Sequence, residues 1–575
     1  MLRRIFSYMK EYKKYAWLAL ICIGVEVVLE IMVPKLMADL IDIGVTNSDV
    51  PYIINKGIQM AVCAVAALIL GVGSARFSAL AGQGLGANIR KAEYEKLQSY
   101  SFSNIDHFSV SSLVTRLTSD VTNIQNAVST GMRPFGRSPV MLIFATTLAF
   151  QINSTLALVF LVALPVLAVL LIIIIINVGP RYGRMQGAVD LVNRCIEENL
   201  TAVRVVKSYV RGDYEIEKFR NVNDNLKNES EKAFGIAVLN MPAMQFVMYS
   251  TILGILLIGG RLINSGQMMI GQLTSFLSYV LLILNSLMMM SNVFLLMTRS
   301  LASAERIMKV IDEPIDITDE NARNIEVKKG EIEFNHVWFK YNETAKEYVL
   351  SDVSFHINAG QTVGIIGQTG SSKTTLIQLI PRLYDASKGE IKIDGINVKE
   401  YPVRHLRDAI SVVLQKNTLF SGSLIDNLRW GNENATVDEI KEACSIACVD
   451  EFIDRLPGGL DAEMGQEGVN VSGGQKQRIC IARAILKKPK VLILDDSTSA
   501  VDTATEGKIR NALAKKLPDM TKIIIAQRIS SVRHADQIII MDGGCVNAIG
   551  THESLLKTNK IYQEIYESQK EGADL

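Results

Sequence analysis

Six long apolar runs in the first 300 residues constrain the fold of this chain more than any other feature. One of them, LALVFLVALPVLAVLLIIIIINV at 156–178, exceeds the roughly 20 apolar residues that a helix needs to cross a bilayer. Apolar runs bounded by polar turns predict spans at 16–42, 57–81, 132–151, 155–178, 235–262 and 273–298. No run of this length follows residue 310. The first part of the chain is therefore expected to be an all-α membrane domain with six helices.

The distribution of charge predicts how these spans are oriented. Five basic residues in MLRRIFSYMKEYKKY precede the first span, and the positive-inside rule places this end in the cytoplasm. An even number of spans returns the chain to the same side. The helical spacing of four apolar residues in the same stretch predicts an interfacial helix; they are Leu2, Ile5, Phe6 and Met9. The net charge of +1 argues against nucleic acid as a partner.

The two long connections on the inner side, 82–131 and 179–234, read as helical extensions of the spans. Segments 101–121 and 209–219 within them could form short transverse helices that touch another domain. A solvated helical hairpin explains the same spacing equally well, so the residue pattern alone leaves both possibilities open.

The residue pattern changes near residue 327, from long apolar runs to shorter segments typical of strands. GEIEFNHVWFKY alternates as a strand does, and TVGIIG and KVLILDD are apolar runs typical of buried strands. This pattern predicts an α/β domain. The expected organisation is a membrane domain at 1–310, a linker at 311–326 and the α/β domain at 327–575.

The stretch GQTGSSKTTL directly after a predicted strand resembles a loop that binds phosphate. Its backbone amides would form a nest for phosphate oxygens at the start of a helix, with residues Gly367, Gly370, Ser371, Ser372, Lys373, Thr374 and Thr375. Lys373 adds a positive charge, and the Thr374 hydroxyl can bind Mg²⁺. The usual pattern G-x-x-x-x-G-K-[ST] has glycine where this chain has Ser372. The extra Cβ either weakens phosphate binding or fits after a small shift.

Two further motifs follow. In VLILDDSTSAVD a buried strand ends in two acids, so Asp495 can hold Mg²⁺ through its water shell, and Asp496 occupies the position of a general base. VSGGQKQR at 471–478 places Ser472, Gly473 and Gly474 at the start of a helix, where they would face an anion.

The order of these motifs resembles that of an ATP-binding cassette (ABC) exporter half-transporter, a six-helix membrane domain fused to a P-loop ATPase domain. The resemblance implies that ATP and Mg²⁺ are bound and that Tyr341 stacks on adenine. It makes Gln415 in SVVLQKNTLF the Q-loop glutamine, which joins Thr374 and Asp495 at the metal, and it adds Gln475 to the signature motif. It also implies a D-loop at 499–502 that includes Asp502, coupling helices at 101–108 and 209–219, and a multi-pass protein of the plasma or inner membrane with a cytoplasmic ATPase domain.

Three residues depart from the pattern of this family. The family usually has glycine at Ser372, glutamate at Asp496 and histidine at Gln527. Aspartate is one methylene shorter than glutamate, and a displacement of about 1 Å at a reacting centre can cost about 10²-fold in rate. Gln527 can donate a hydrogen bond to a phosphate but cannot carry a positive charge. Together these changes predict a site that binds ATP and hydrolyses it poorly.

The signature motif at 471–475 is intact, unlike the three residues above. Proteins of the family that this chain resembles pair two nucleotide domains head to tail. These facts predict a heterodimer in which a second half-transporter supplies a catalytic glutamate and a switch histidine, as in the degenerate-site subunits of bacterial heterodimeric multidrug exporters. An active homodimer and an ATP-gated channel or regulatory subunit remain as alternatives. An importer fits poorly, because importers usually keep spans and ATPase on separate chains.

Polar residues within the predicted spans are candidates for substrate contact. Glu26 and Glu30 are four residues apart, so they share one face of the first span. They form either an acidic patch for cationic amphiphiles or pairs with basic or polar groups of another helix. Gln245 and Asn285 are further candidates, with hydrogen bonding between helices as the alternative. The sequence does not separate drugs, lipids and peptides as substrates.

Overall fold

A computed structural model of the protein describes residues 2–496 and 501–571, apart from a few individual side chains. The chain forms two compact units. The first contains Met1–Gln98 and Val110–Asp312, and the second contains Ser99–Ser109 and Glu313–Leu575. A short segment from the middle of the membrane half thus belongs to the second unit.

The first 312 residues are helical. Their helices are α1 Leu2–Ser7, α2 Lys13–Asp39, α3 Val50–Gln98, α4 Phe102–His107, α5 Val110–Thr115, α6 Val121–Ser129, α7 Met132–Ile152, α8 Ser154–Thr201, α9 Val203–Ser208, α10 Gly212–Ala237, α11 Asn240–Asn264 and α12 Ile270–Asp312. All of these except α4 belong to the first unit. Turns of 3₁₀ helix at Lys10–Tyr12 and of π helix at Leu40–Val45 and Arg116–Asp120 connect some of them.

Each predicted span corresponds to one long helix, namely α2, α3, α7, α8, α11 or α12. The helix of the fifth predicted span, α11, begins at Asn240, a few residues later than predicted. Within the described part of the chain, five helical stretches are long and apolar enough to cross a membrane, and Ser154–Leu170 in α8 is a shorter apolar stretch. The predicted all-α membrane domain is confirmed.

The apolar face of the N-terminal segment packs mainly against protein. Ile5 and Met9 are 3% and 4% exposed and belong to one cluster with residues of α3, α6 and α12. Phe6 is 42% exposed. A residue pattern shows which face of a helix is apolar, but it does not show whether protein or lipid covers that face.

The two predicted transverse helices have different outcomes. The helix α4 lies at the first position, and its N-cap residue Ser101 forms a reciprocal capping box with Asn104. The second prediction is wrong in its limits, because α9 ends at Ser208 and 209–219 forms a turn and the beginning of α10. Acidic residues in the first turn of α10, Asp213 and Glu215, favour a helix start at this point.

The second unit contains twelve strands in three sheets, among the residues that the structure describes. They are β1 Ile332–Phe339, β2 Leu350–Ile357, β3 Thr362–Ile366, β4 Lys388–Ile393, β5 Ile396–Asn397, β6 Ile410–Val413, β7 Gly422–Ser423, β8 Glu463–Met464, β9 Val491–Asp495, β10 Thr521–Ile525, β11 Gln537–Asp542 and β12 Cys545–Gly550. The large sheet has the order β12-β11-β3-β10-β9-β6, the second β2-β1-β4-β5, and the smallest pairs β7 with β8.

Helices surround these sheets. They are α13 Lys373–Leu379, α14 Val403–Asp408, α15 Leu424–Arg429, α16 Val437–Ile446, α17 Asp450–Ile453, α18 Gly473–Leu486, α19 Thr503–Lys516, α20 Ile529–Val532, α21 His552–Thr558 and α22 Lys560–Glu571. The core on one side joins the large sheet to β1, β2 and β4, and the core on the other side joins it to α16, α18 and α19. The α/β fold predicted from the sequence is confirmed.

The large sheet brings the motifs together. Strands β3, β10, β9 and β6 are neighbours and run parallel. The carboxyl ends of parallel strands lie at one edge, which is where α/β sheets bind ligands. The glycine-rich loop follows β3, Gln527 follows β10, Asp496 follows β9 and Gln415 follows β6. Motifs far apart in sequence therefore meet at one edge.

Candidate functional site

The loops at this edge enclose a cavity of ≈ 310 Å³. We call the loop at 367–375 together with Gln415, Asp495, Asp496 and Gln527 the phosphate cradle. The cavity is lined by Thr369, Gly370, Ser372, Lys373, Thr374, Thr375, Gln415, Asp495, Asp496, Ile525 and Gln527. Most of the residues predicted for the phosphate and metal site thus share one cavity.

The loop is closed by the side chain of Lys373. Its ammonium donates hydrogen bonds to the carbonyl oxygens of Gly367 (2.8 Å) and Gln368 (2.9 Å) and lies 3.2 Å from the Ser371 hydroxyl. Burial lowers the pKa of Lys373, and the nearby Asp495 and Asp496 oppose that shift. A phosphate bound in the loop would replace the carbonyl partners by a charged one.

Ser372 occupies a backbone conformation that favours glycine. Its φ is +67° and its ψ is 25°, in the left-handed region, directly before α13. For a residue with a Cβ this region costs roughly 1–2 kcal/mol. The departure from the glycine pattern is therefore accommodated as local backbone strain, and the loop keeps its turn.

Asp495 has the surroundings of a metal ligand. Its Oδ1 accepts a hydrogen bond of 3.2 Å from the Thr374 hydroxyl, while its buried Oδ2 has no hydrogen-bond partner among the described residues. Burial raises the pKa of Asp495, and the Thr374 hydroxyl opposes the shift. A carboxylate, a hydroxyl and the amide of Gln415 form an all-oxygen donor set of the kind that Mg²⁺ prefers. These residues fit the ion that the sequence predicts.

Asp496 and Gln527, two of the departures from the family pattern, contact each other. The Gln527 amide donates a hydrogen bond of 3.0 Å to Asp496 Oδ2. Asp496 has a positive φ of 47°, and its carbonyl oxygen accepts a hydrogen bond of 3.3 Å from the buried Gln477 side chain. Burial raises the pKa of Asp496, with Lys373, Arg528 and Gln527 acting in the opposite direction.

Tyr341 lies beside this cavity and is 47% exposed. Its hydroxyl is 2.9 Å from the Thr375 hydroxyl and donates to Gln378 Oε1 at 3.3 Å. The exposed ring is available for stacking, as the resemblance implies for an adenine base.

The signature residues lie elsewhere in the unit and do not line the cradle. Ser472 caps α18 and forms a reciprocal capping box with Gln475, so that Gly473 and Gly474 are the first two residues of the helix. Asp502 caps α19 by accepting a hydrogen bond of 2.9 Å from the Thr505 amide. Ser499 and Ala500 of the predicted D-loop lie outside the described residues. One chain thus presents the cradle and the signature helix at separate places.

Tyr384 and Asp106 have positions that the sequence did not indicate. The Tyr384 hydroxyl donates a hydrogen bond of 2.7 Å to Asp106 in α4. The Tyr384 ring lies 5.2 Å from Tyr341 and 6.0 Å from Phe102. Within the second unit, an aromatic contact path therefore joins the short helix α4 to Tyr341. A single tyrosine in a loop has no spacing signal that would have revealed this path.

The acidic residues of α2 are paired with arginines of α7. Glu26 Oε1 lies 2.5 Å from Arg133 Nη2 and 3.4 Å from Arg137 Nη1, and Arg137 Nη2 lies 2.6 Å from Glu30. Of the two readings left open by the sequence, pairing across helices is the one found. An unpaired acidic patch for cations is absent at these positions in the described structure.

A second cavity, of ≈ 790 Å³, borders this ion-pair cluster within the first unit. Glu26, Glu30 and Asn285 line it, together with Arg133. Gln245 is exposed and is not among its lining residues. Three of the four predicted substrate residues thus share one cavity, and the fourth lies apart from it.

Comparisons with known proteins identify the family. Residues 16–287 match the ABC transporter transmembrane region and residues 350–499 match the ABC transporter domain. The chain is 37% identical over 575 residues to an uncharacterized ABC transporter ATP-binding protein, YfiB of Bacillus subtilis, with 100% of both chains covered. It is 32% identical over 493 residues to an ATP-dependent lipid A-core flippase of Desulfotalea psychrophila, with 85% of each chain covered.

A solved structure supports the fold over nearly the full length. A bacterial Atm1-family ABC exporter with ATP bound superposes with a TM-score of 0.83 at 22% identity, covering 98% of both chains. The membrane helices, the sheet that brings the motifs together and the sequence relatives all indicate the same family. The chain belongs to the ABC transporter family and is an ABC exporter whose membrane domain is fused to its ATPase domain.

Proposed function

We propose that this chain is one subunit of a dimeric exporter that uses ATP to move lipids, drugs or other amphiphiles out of the cytoplasm or the inner leaflet. The proposal rests on family membership, on the flippase among its relatives and on the cavity beside the ion-pair cluster. The protein would lie in the plasma or inner membrane, with its N terminus and ATPase domain in the cytoplasm, as the basic N-terminal segment indicates.

The phosphate cradle and the neighbouring Tyr341 together have residues for each part of Mg-ATP. Lys373 and the loop amides would hold the phosphates, Tyr341 would stack on the base, and Asp495, Thr374 and Gln415 would hold the metal. Mg²⁺, when bound, neutralises phosphate charge. The unpartnered Oδ2 of Asp495 is the observation that favours this assignment.

We further propose that the cradle binds ATP and hydrolyses it slowly. The hydrogen bond from Gln527 to Asp496 carries this proposal. In this hydrogen bond the Asp496 carboxylate, which is shorter than that of glutamate, accepts from the neutral amide of Gln527. Unlike a histidine, this amide can neither transfer a proton nor place a positive charge near the phosphate. A base that is both shortened and held by a neighbour is poorly placed to orient a water molecule.

The intact signature helix suggests where efficient hydrolysis takes place. In the proposed heterodimer, Ser472, Gly473, Gly474 and Gln475 would complete a site whose glutamate and histidine come from a second half-transporter. A homodimer is compatible with the same sequence and geometry, and in that case two identical cradles would hydrolyse ATP. The two assemblies differ in what the chain does alone.

Steady-state Mg-ATP hydrolysis in lipid tests this proposal. We expect negligible turnover by the purified chain alone and clear turnover by the chain co-purified with a second half-transporter from the same cell. The triple variant Ser372→Gly, Asp496→Glu and Gln527→His should raise turnover of the chain alone by about 10²-fold. Rapid turnover by the unaltered chain alone would establish the homodimer and refute the impaired cradle.

A further inference from the structure

The cavity beside the ion-pair cluster changes polarity along its length. Two contacts show that α2 and α3 run antiparallel along it: Lys56 lies 2.7 Å from Asp39, and Gly71 lies beside the Glu26 carboxylate. The cavity extends along α2 from Glu26 to Pro34, a distance of about 12 Å at the rise of an α-helix. Its two ends therefore differ in position and in chemistry.

The charged groups lie between one end of the cavity and its middle. Glu26, Glu30 and Arg133 line this part, and Arg137 lies behind them in the ion-pair cluster. Two carboxylates and two guanidinium groups balance each other, so the cluster has no net charge. It therefore offers sites for both signs of charge and gives little preference to a purely cationic ligand.

The polar end also has unused hydrogen-bonding capacity. Glu26 is 3% exposed, and its Oε2 accepts no hydrogen bond from any residue that the structure describes. Burying a carboxylate oxygen without a donor is costly. Arg133 contacts Glu26 through Nη2 and is 39% exposed, and a guanidinium carries five N–H donors. An acceptor and several donors thus lie side by side.

The opposite end is apolar. Val33, Pro34 and Ala64 line it. The Ser278 hydroxyl, which also lines the cavity, already donates to the Thr274 carbonyl oxygen of its own helix at 3.1 Å. The walls beyond the ion-pair cluster therefore suit a hydrocarbon chain, and the volume lies in the range of small-molecule sites.

We propose that this cavity binds an amphiphile with a zwitterionic headgroup that carries an ammonium and a phosphate. The ammonium donates to Glu26 Oε2, the phosphate accepts from Arg133, and the apolar chain lies toward Val33 and Pro34. This inference rests on the proposed export function, which it sharpens by naming a substrate class. Charge complementarity and the change in polarity along the cavity carry it.

Equilibrium binding to the full transporter in nanodiscs tests the headgroup. The probes are lysophosphatidylethanolamine, lysophosphatidylglycerol and a primary alkylamine, all with the same chain length. We expect the first to bind most tightly, because it alone provides both charges. Overturning results would be equal affinity for the alkylamine or for lysophosphatidylglycerol in the unaltered protein.

Substitutions locate the contacts. Glu26→Gln should weaken lysophosphatidylethanolamine binding by about tenfold, since a hydrogen bond to a charged group is lost, and should leave lysophosphatidylglycerol unchanged. Arg133→Gln should weaken both phospholipids. Gln245→Ala, a polar position of the same unit outside the cavity, should change neither. Unchanged lysophosphatidylethanolamine affinity in Glu26→Gln would overturn the assignment.

A second variant covers the case in which Glu26→Gln disturbs folding by leaving Arg137 beside a neutral amide. The Cβ of Gly71→Ala would lie 3.1 Å from Glu26 Oε1 and 3.2 Å from Arg133 Nη2. It should shift the pair without changing its charge and weaken the zwitterionic probe severalfold. Unaltered affinity in this variant would contradict the proposal.

The binding experiment does not require ATP. If the zwitterionic probe shows no preference while ATP-driven transport of another amphiphile is observed, this inference fails and the proposed function stands. If the probe binds as expected and no amphiphile moves in an ATP-dependent way, the site stands and export fails.

Discussion

The phosphate cradle and the signature helix lie in the same unit and differ in how well they follow local structural rules. The cradle contains two non-glycine residues with positive φ, Ser372 and Asp496. The signature helix starts at Ser472, which has an extended backbone and a complete capping box. Strained residues persist where the surrounding structure holds them, and they cluster at functional sites. The comparison is consistent with the heterodimer that we propose, in which this chain would contribute an altered cradle to one site and an intact signature helix to the other.

The largest expected effect comes from disrupting the signature helix α18. In the co-purified pair, Gly474→Glu in this chain would place a carboxylate at the start of α18, where it repels phosphate. Turnover should fall by about 10² or more, the loss seen when a preorganised anion contact is removed.

Asp496→Asn in the cradle is the matched control for that experiment. Under the heterodimer proposal it should change turnover of the pair by less than about twofold. Hydrolysis rates at saturating Mg-ATP give both numbers. Equal losses from the two substitutions would show that both half-sites are catalytic and would remove the asymmetry.

The next effect concerns pH and the cradle. Because burial raises the pKa of Asp495 above its ordinary 3.8, protons compete with Mg²⁺ at a higher pH than they would at an exposed aspartate. Below that raised pKa, affinity for Mg²⁺ in the presence of ATP should fall by up to about tenfold per pH unit. Titration calorimetry from pH 8 down to about pH 4, close to the ordinary pKa of an aspartate, measures this.

The stability of the nucleotide-free protein should change with pH in the direction opposite to that of Mg²⁺ affinity. A raised carboxyl pKa means that the folded state binds more protons between pH 3.8 and the raised value, so this group's contribution to stability falls as pH rises through that window. For the prediction on metal binding, a Mg²⁺ affinity that stays constant across the pH range of the calorimetric titration would contradict the role given to Asp495.

A smaller effect is expected from relieving strain in the cradle. Ser372→Gly removes the Cβ from a residue at φ +67° and should stabilise the folded protein by about 1 kcal/mol. ATP affinity should rise by no more than severalfold. Thermal unfolding and nucleotide titration measure the two quantities, and Ser423→Gly at a helix cap with φ −70° is the control that should not stabilise. Loss of stability in Ser372→Gly would refute the strain argument.

The smallest effect tests the path from α4 to Tyr341. Tyr384→Phe removes the hydrogen bond to Asp106 and keeps the ring contacts, so it should cost about 1 kcal/mol and lower the stimulation of ATP hydrolysis by transported amphiphile. Tyr401→Phe loses a hydrogen bond of 2.9 Å to the Ile393 carbonyl oxygen and serves as the control. Equal stimulation in both variants would restrict Tyr384 to a structural role.

Much of the nucleotide-binding fold could be predicted because its signals are local. A buried strand followed by a glycine-rich turn, or by two acids, identifies a strand end in a parallel sheet. Two such ends, those of β3 and β9, meet the ends of β10 and β6 at the edge where Lys373, Asp495 and Gln415 line one cavity. The limits of the second transverse helix could not be predicted as well, since α9 and α10 are separated only by a short turn at 209–211.

The length of its apolar runs and the order of its motifs by themselves determined that this chain is a membrane protein with a nucleotide-binding domain. Both are properties of consecutive residues, and bilayer thickness and sheet geometry act on them directly. Only the tertiary structure decided the partners of individual side chains. Glu26 meets Arg133 across 107 positions of the chain, and Tyr384 meets Asp106 across 278. Such contacts depend on how distant elements pack, which residue spacing does not encode.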